Sequence, residues 1–137
     1  MRELHLGRLI DHVHLRARNF ERTKQFYRAV LEALEVPVSG DDAHHLSCDE
    51  LWIDALGNDE KSATHVHLAF QAEDADMVRR FHAAGLAAGG RDNGAPGERT
   101  YHPGYFAAFL LDPDGNNVEA VYHGPAERSA ASVVIRA

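Results

Sequence analysis

Residues 11–34 read DHVHLRARNFERTKQFYRAVLEAL, and residues 64–89 read THVHLAFQAEDADMVRRFHAAGLAAG. Each stretch opens with His-Val-His-Leu on a short alternating run, passes a polar turn and continues in a helical pattern. His65 follows His12 by 53 positions, close to half of a 137-residue chain. A tetrapeptide shared by chance would not carry the same strand-then-helix order with it. The chain therefore reads as one module written twice.

In the first copy Asn19 is placed to cap a helix whose Phe26, Tyr27, Val30, Leu31 and Leu34 fall on one face, and Pro37 follows its end. In the second copy a helix is expected from about Asp74 to Ala84, with Val78 and Phe81 inward and Gly85 as its stop. Strands are expected around 36–38, 45–48 and 51–55. Residues 89–99, GGRDNGAPGER, read as a loop because of their Gly, Pro and Asn content. Residues 105–111 and 117–122 then form a hairpin around Asp112-Pro113-Asp114-Gly115, which carries turn chemistry throughout. The expectation is an α+β fold, a single domain over residues 1–137. Its half-modules, 9–56 and 63–123, are each βαβββ and together form an open half-barrel around a metal-centred cavity. The tail, 124–137, adds an edge strand over Ser132–Ile135.

The bulk numbers narrow the function. A hydrophobic fraction of 45% and a charged fraction of 26% are those of a globular protein. A net charge of −7 disfavours a nucleic-acid partner. No apolar run is long enough to cross a bilayer, and the first fifteen residues, MRELHLGRLIDHVHL, lack the apolar stretch of a signal peptide. A cytoplasmic location is expected, with no membrane partner. Cys48 is the only cysteine, so neither an intrachain disulfide nor a cysteine-based zinc site is available. Histidine, with ten copies, is the unusual residue.

Alternation assigns the histidines to faces. Val13, Leu15 and Ala17 share one side of the first strand, with His12, His14 and Arg16 on the other. The repeat sets Val66, Leu68 and Phe70 against His65, His67 and Ala69. The apolar sides pack under the helices, so the imidazoles turn away from them. Sheets curving toward each other would bring four histidines to one concave surface. Glu119, in the middle of Val-Glu-Ala-Val, adds a carboxylate that needs a partner. Two histidines and one carboxylate form a facial set with open positions, suited to Fe, Mn, Ni or Zn ions. The plain alternative is a solvated strand face and a glutamate paired with an arginine.

Asp-His-Val, Asn-Phe-Glu-Arg-Thr-Lys-Gln-Phe-Tyr, Thr-His-Val and Asp-Pro-Asp-Gly-Asn-Asn-Val-Glu, taken in this order, resemble the vicinal-oxygen-chelate superfamily. This superfamily holds glyoxalase I, the extradiol ring-cleaving dioxygenases and the fosfomycin- and bleomycin-resistance proteins. The resemblance covers nearly all of residues 9–123. By position it implies His12, His65 and Glu119 as metal ligands. Glyoxalase I has a further glutamate where this chain reads LWIDALG, and Asp54 is the nearest carboxylate. That departure weighs against the lactoylglutathione lyase reaction and leaves Asp54, His14 or His67 open as a fourth ligand. The resemblance implies a divalent metal (Fe, Zn, Ni or Mn), a small oxygenated substrate chelated by it, and a homodimer. The activity so implied is that of a metal-dependent lyase, isomerase or extradiol-type dioxygenase. The rival is a metal-free protein that sequesters a drug or other ligand, as the bleomycin-resistance proteins do. His14 and the loop residues Tyr101, His102 and Tyr105 are the candidates for proton transfer or substrate contact. His44 and His45 are given no role.

Overall fold

The structure is a computed structural model that describes residues 3–6, 10–57, 63–125, 127 and 133–136. The first module runs β2 (Val13–Ala17), α1 (Phe20–Ala33), β3 (Gly40–Asp41), β4 (His45–Cys48) and β5 (Leu51–Ala55). The second runs β6 (His67–Gln71), α2 (Ala75–Ala87), β7 (Arg91–Glu98), β8 (Phe106–Leu111) and β9 (Asn117–Tyr122). The two have the same topology. The sheet orders are β2-β5-β4-β3 and β6-β9-β8-β7, and in each the first strand pairs parallel to the fourth. The sheets are separate and do not close. A strand before the first module, β1 (Glu3–Leu6), pairs antiparallel with β10 (Val133–Arg136) at the other end of the chain. The expected tail strand thus exists and pairs with β1; Ser132 lies outside the described residues.

Three local expectations are corrected. Val36–Val38 is not a strand; pairing starts only at Gly40, opposite Ser47. Residues 91–98 are not a loop but the edge strand β7, paired with β8 through two register shifts around Gly94. Its Gly and Pro content reflects an irregular edge strand, where Pro is tolerated and bulges are common. A Cβ on Gly94 would meet the Phe109 ring at 3.0 Å, so this residue lets β7 lie close over that ring. Finally, Gly85 does not stop α2. The helix continues to Ala87 and ends at Gly89 (φ 95°), with the Gly90 amide donating to the Gly85 carbonyl at 2.8 Å.

Gly85 instead lies inside the core. A Cβ there would run into Leu110 of β8 and come within 3.1 Å of Val30 and 3.3 Å of Phe26 on α1. Both helices therefore share one apolar core with both sheets, built from Leu15, Phe26, Val30, Leu46, Ile53, Val78, Phe81, Leu110 and Val118 among others. Asn19 and Asp74 cap α1 and α2, accepting from the amides of Arg22 and Met77 at 3.2 and 2.7 Å.

A polar lock joins the modules. The Tyr27 hydroxyl of α1 donates to Asp112 at 2.6 Å, and both residues are buried. The other donors to Asp112 come from its own turn: the amides of Asp114 and Asn116 at 2.9 Å, and the Asn116 side chain at 2.8 Å. Burial, then the Asp112 charge, pushes the Tyr27 phenol well above its ordinary pKa. The Phe26-Tyr27 pair and the Asp112–Asn116 turn, two of the most recognisable parts of the sequence, are thus joined for structure.

Candidate functional site

The internal repeat extends to the polar side chains. In the first module His14 Nε2 lies 2.7 Å from Asp54 Oδ1, and Arg16 Nε lies 3.0 Å from the same oxygen. In the second, His67 Nε2 lies 2.8 Å from Glu119 Oε1, and the Tyr105 hydroxyl donates to the other Glu119 oxygen. The registers match as well. Arg16 pairs with Asp54 and Ala69 with Glu119, so each carboxylate sits opposite the residue two places past the second histidine of His-Val-His-Leu. A histidine reaches diagonally across a parallel strand pair to a carboxylate in both cases.

The two pairs differ in burial. Glu119 is 2% exposed, whereas the Asp54 side chain is 28% exposed. A carboxylate removed from water needs strong donors, and Glu119 has an imidazole and a phenol. Burial, then the hydrogen bond to Glu119 and its charge, pushes the Tyr105 phenol up to about 12. Tyr105 therefore stays protonated at neutral pH and remains a donor.

The first histidine of each motif is placed differently. His12 precedes β2, is 68% exposed at its side chain and contacts Asp11 at 2.7 Å. His65 precedes β6 and is exposed. It stands four residues before the partner of Glu119, or roughly 13 Å of extended chain at ~3.3 Å per residue. Among the described residues no three His, Cys, Asp or Glu side chains gather closely enough to hold a metal ion. His12, His65 and Glu119 are therefore not brought together, and the described donors of one chain do not by themselves fit a divalent ion. His14 and His67 are on different sheets, each engaged by its own carboxylate.

Of the loop candidates, Tyr105 alone reaches Glu119. Tyr101 is 71% exposed and packs edge-on to Tyr105. His102 pairs with His123, Nε2 to Nδ1, at 2.9 Å, while its own Nδ1 donates to the Pro103 carbonyl at 2.9 Å. The loop is pressed onto the end of β9. A Cβ on Gly104 (φ 89°) would come within 3.2 Å of the His123 carbonyl oxygen and 3.4 Å of the Gly124 Cα. This anchoring sets Tyr105 over Glu119.

Sequence reasoning missed a cluster on the open face of the first sheet. Trp52, on the interior strand β5, is 41% exposed, and its ring stacks on His45 of β4 with centroids 4.1 Å apart and planes 9° from parallel. Asp42 accepts from the His45 amide at 2.9 Å and lies 3.1 Å from its Nδ1, while the indole N–H donates to Asp54 at 3.4 Å. The signal was available: alternation along Leu-Trp-Ile-Asp puts Trp52 on the same face as Asp54.

The sequence pattern of the Glyoxalase/Bleomycin resistance protein/Dioxygenase superfamily matches residues 9–120. No curated protein matches the chain. Among solved structures, a glyoxalase/bleomycin resistance protein from Albidiferax ferrireducens T118 is 31% identical, with a TM-score of 0.70 over 80% of this chain and 95% of that one. A glyoxalase/bleomycin resistance protein/dioxygenase family enzyme from Burkholderia phytofirmans PsJN is 22% identical, with a TM-score of 0.60 over 82% and 96%. A lactoylglutathione lyase from Agrobacterium tumefaciens is 16% identical, with a TM-score of 0.57 over 80% and 90%.

Proposed function

The chain belongs to the Glyoxalase/Bleomycin resistance protein/Dioxygenase superfamily, and on that premise we propose that it is a cytoplasmic, homodimeric enzyme acting on a small oxygenated molecule. The observation that carries the proposal is Glu119, a carboxylate 2% exposed at mid-strand, with one oxygen on His67 and the other on Tyr105. Folding alone favours an apolar residue there, since buried charges contribute little net stability. A buried, fully partnered carboxylate beside an exposed imidazole has the makings of proton-transfer apparatus. Glu119 orients His67, whose other ring nitrogen is placed to exchange a proton with a substrate on the open sheet face. Tyr105 keeps Glu119 in position.

A divalent ion (Fe, Zn, Ni or Mn) belongs to this reading, with His12, His65 and Glu119 as its ligands. The described residues of one chain do not assemble those donors, so in this reading a second copy supplies the missing ones. Elemental analysis of untagged protein, with titration of Ni(II), Zn(II), Mn(II) and anaerobic Fe(II), tests it. His12→Ala, His65→Ala and Glu119→Ala should each abolish tight binding, and His44→Ala should not. Tight uptake by the triple variant would refute the ligand set, and a stable monomer in sedimentation would refute the shared site.

The second reading is a metal-free ligand-binding protein. It is favoured by the dispersal of the three donors within one chain and by the exposed aromatic stack on the first sheet. It predicts equal ligand affinity with and without metal. Screening α-ketoaldehyde thiol adducts, catechols and epoxide antibiotics for turnover separates the two readings.

A further inference from the structure

We propose that Trp52 and His45 form a stacking platform for a planar ring that carries an oxyanion. This inference deepens the proposed function and rests on reading the open sheet faces as a small-molecule site. Trp52 occupies the centre of its sheet face, since β5 lies between β2 and β4. Its register neighbours there are His14 and Ser47. A large ring 41% exposed at such a place contributes little to the core, whose residues lie on the opposite face of β5 as Leu51 and Ile53.

The ring is nevertheless held in a fixed plane. His45, lying parallel to it at 4.1 Å, is oriented by Asp42, and the indole N–H is directed at Asp54. A ring immobilised at its edge and on one face loses little freedom when a second planar group stacks on it, so the platform is pre-organised. Flat conjugated ligands gain most from such a surface, because offset stacking rewards planarity beyond the area buried.

The neighbouring charges select the substituent. Asp54, the acidic group beside the indole, already accepts from His14 and Trp52 and is ion-paired with Arg16 at 3.0 Å. An added cation would compete with two donors and a guanidinium already in place. An oxyanion at the edge of the stacked ring instead meets the His14 and Arg16 side of the patch, where the guanidinium already paired with Asp54 attracts it as well. The ligand class is therefore an aromatic carboxylate, phenolate or enolate rather than a saturated acid of the same size.

Trp52 is the only tryptophan, so the full-length protein gives a single indole N–H resonance that reports on this face alone. The probes are 2-naphthoate and its saturated counterpart decahydro-2-naphthoate, equal in charge and close in size. The expected result is a saturable shift of the indole resonance with 2-naphthoate at about tenfold lower concentration than with the saturated acid. In calorimetric titration, Trp52→Leu should remove that preference and Trp52→Phe should recover part of it. Equal affinity for the two acids, no indole shift with either, or an undiminished preference in Trp52→Leu would each overturn the inference. The proposed function fails separately. A chain that takes up no metal and turns nothing over, yet still prefers 2-naphthoate, would refute the enzyme reading and leave the platform standing.

Discussion

Tyr27→Phe removes one oxygen from the lock between the modules and leaves the packing of the ring unchanged. The ring is 0% exposed and edge-on to Phe26 with centroids 5.0 Å apart, so the substitution opens no cavity. The lost interaction is a 2.6 Å hydrogen bond to a buried carboxylate. Such bonds to charged acceptors contribute about 1.5–3 kcal/mol. The lower part of that range applies here, because Asp112 keeps two backbone amides and the Asn116 side chain. A loss of about 2 kcal/mol is expected, and with a urea slope of ~2 kcal/mol per molar the midpoint falls by about 1 M. The assay is urea unfolding at fixed protein concentration, followed by circular dichroism. pH supplies a second arm. The Tyr27 pKa is raised on folding, so the stability linked to it is fully present below the free-phenol value of about 10. That stability is lost as pH rises from there through the folded-state value. The gap between wild type and Tyr27→Phe should be constant up to about pH 10 and narrow above it. A midpoint change of less than about 0.25 M at neutral pH would refute the idea that this bond ties the modules together.

Gly85→Ala sets two effects against each other: helix propensity favours Ala by about 1 kcal/mol, but the new methyl group meets Leu110, Val30 and Phe26 in a filled core. Overpacking typically costs ~1–3 kcal/mol, so a net loss is expected in thermal unfolding, and a raised melting temperature would contradict the packing argument. Cys48 is 4% exposed, and burial pushes its thiol up to about 12. Ellman's reagent at pH 8 should therefore leave it unmodified in the native protein and label it fully in denaturant. Glu119→Gln keeps an acceptor for Tyr105 and a polar partner for His67, so its stability should lie within about 1 kcal/mol of wild type while metal uptake and turnover are lost. A severe stability loss would mean that the carboxylate serves the fold.

Legibility in the sequence follows the range over which each feature is decided. The α1 boundaries follow from Asn19 and the apolar spacing of Phe26, Tyr27, Val30 and Leu31, all within a few turns of one another, and the structure agrees. The β8–β9 hairpin was equally plain, because its turn carries its own donors and acceptors. β7 was not legible, because the side chains of residues 91–98 do not favour a strand. It exists because β8 offers an edge and because glycine can pass over Phe109. The stop of α2 was misread for a related reason, since Gly85 is needed for the closeness of α1 and β8 rather than for a turn.

The histidines show where alternation reaches its limit. Period-two spacing correctly assigned His14 and His67 to the polar sides of their strands, but it cannot say how far one strand has slid along another. In a parallel pair that slide is set across a long crossover, here about fifty residues from His67 to Asn117. It decides which histidine of His-Val-His-Leu meets the carboxylate. In both modules the second one does, at 2.7 and 2.8 Å. Two independent crossovers arriving at the same register make that contact a property of the module and not an accident of one sheet. His12 and His65 are then left at the mouths of their strands, exposed and without a carboxylate from their own sheets. Among the described residues the carboxylate of each sheet is thus spent on the second histidine, which leaves the first without it.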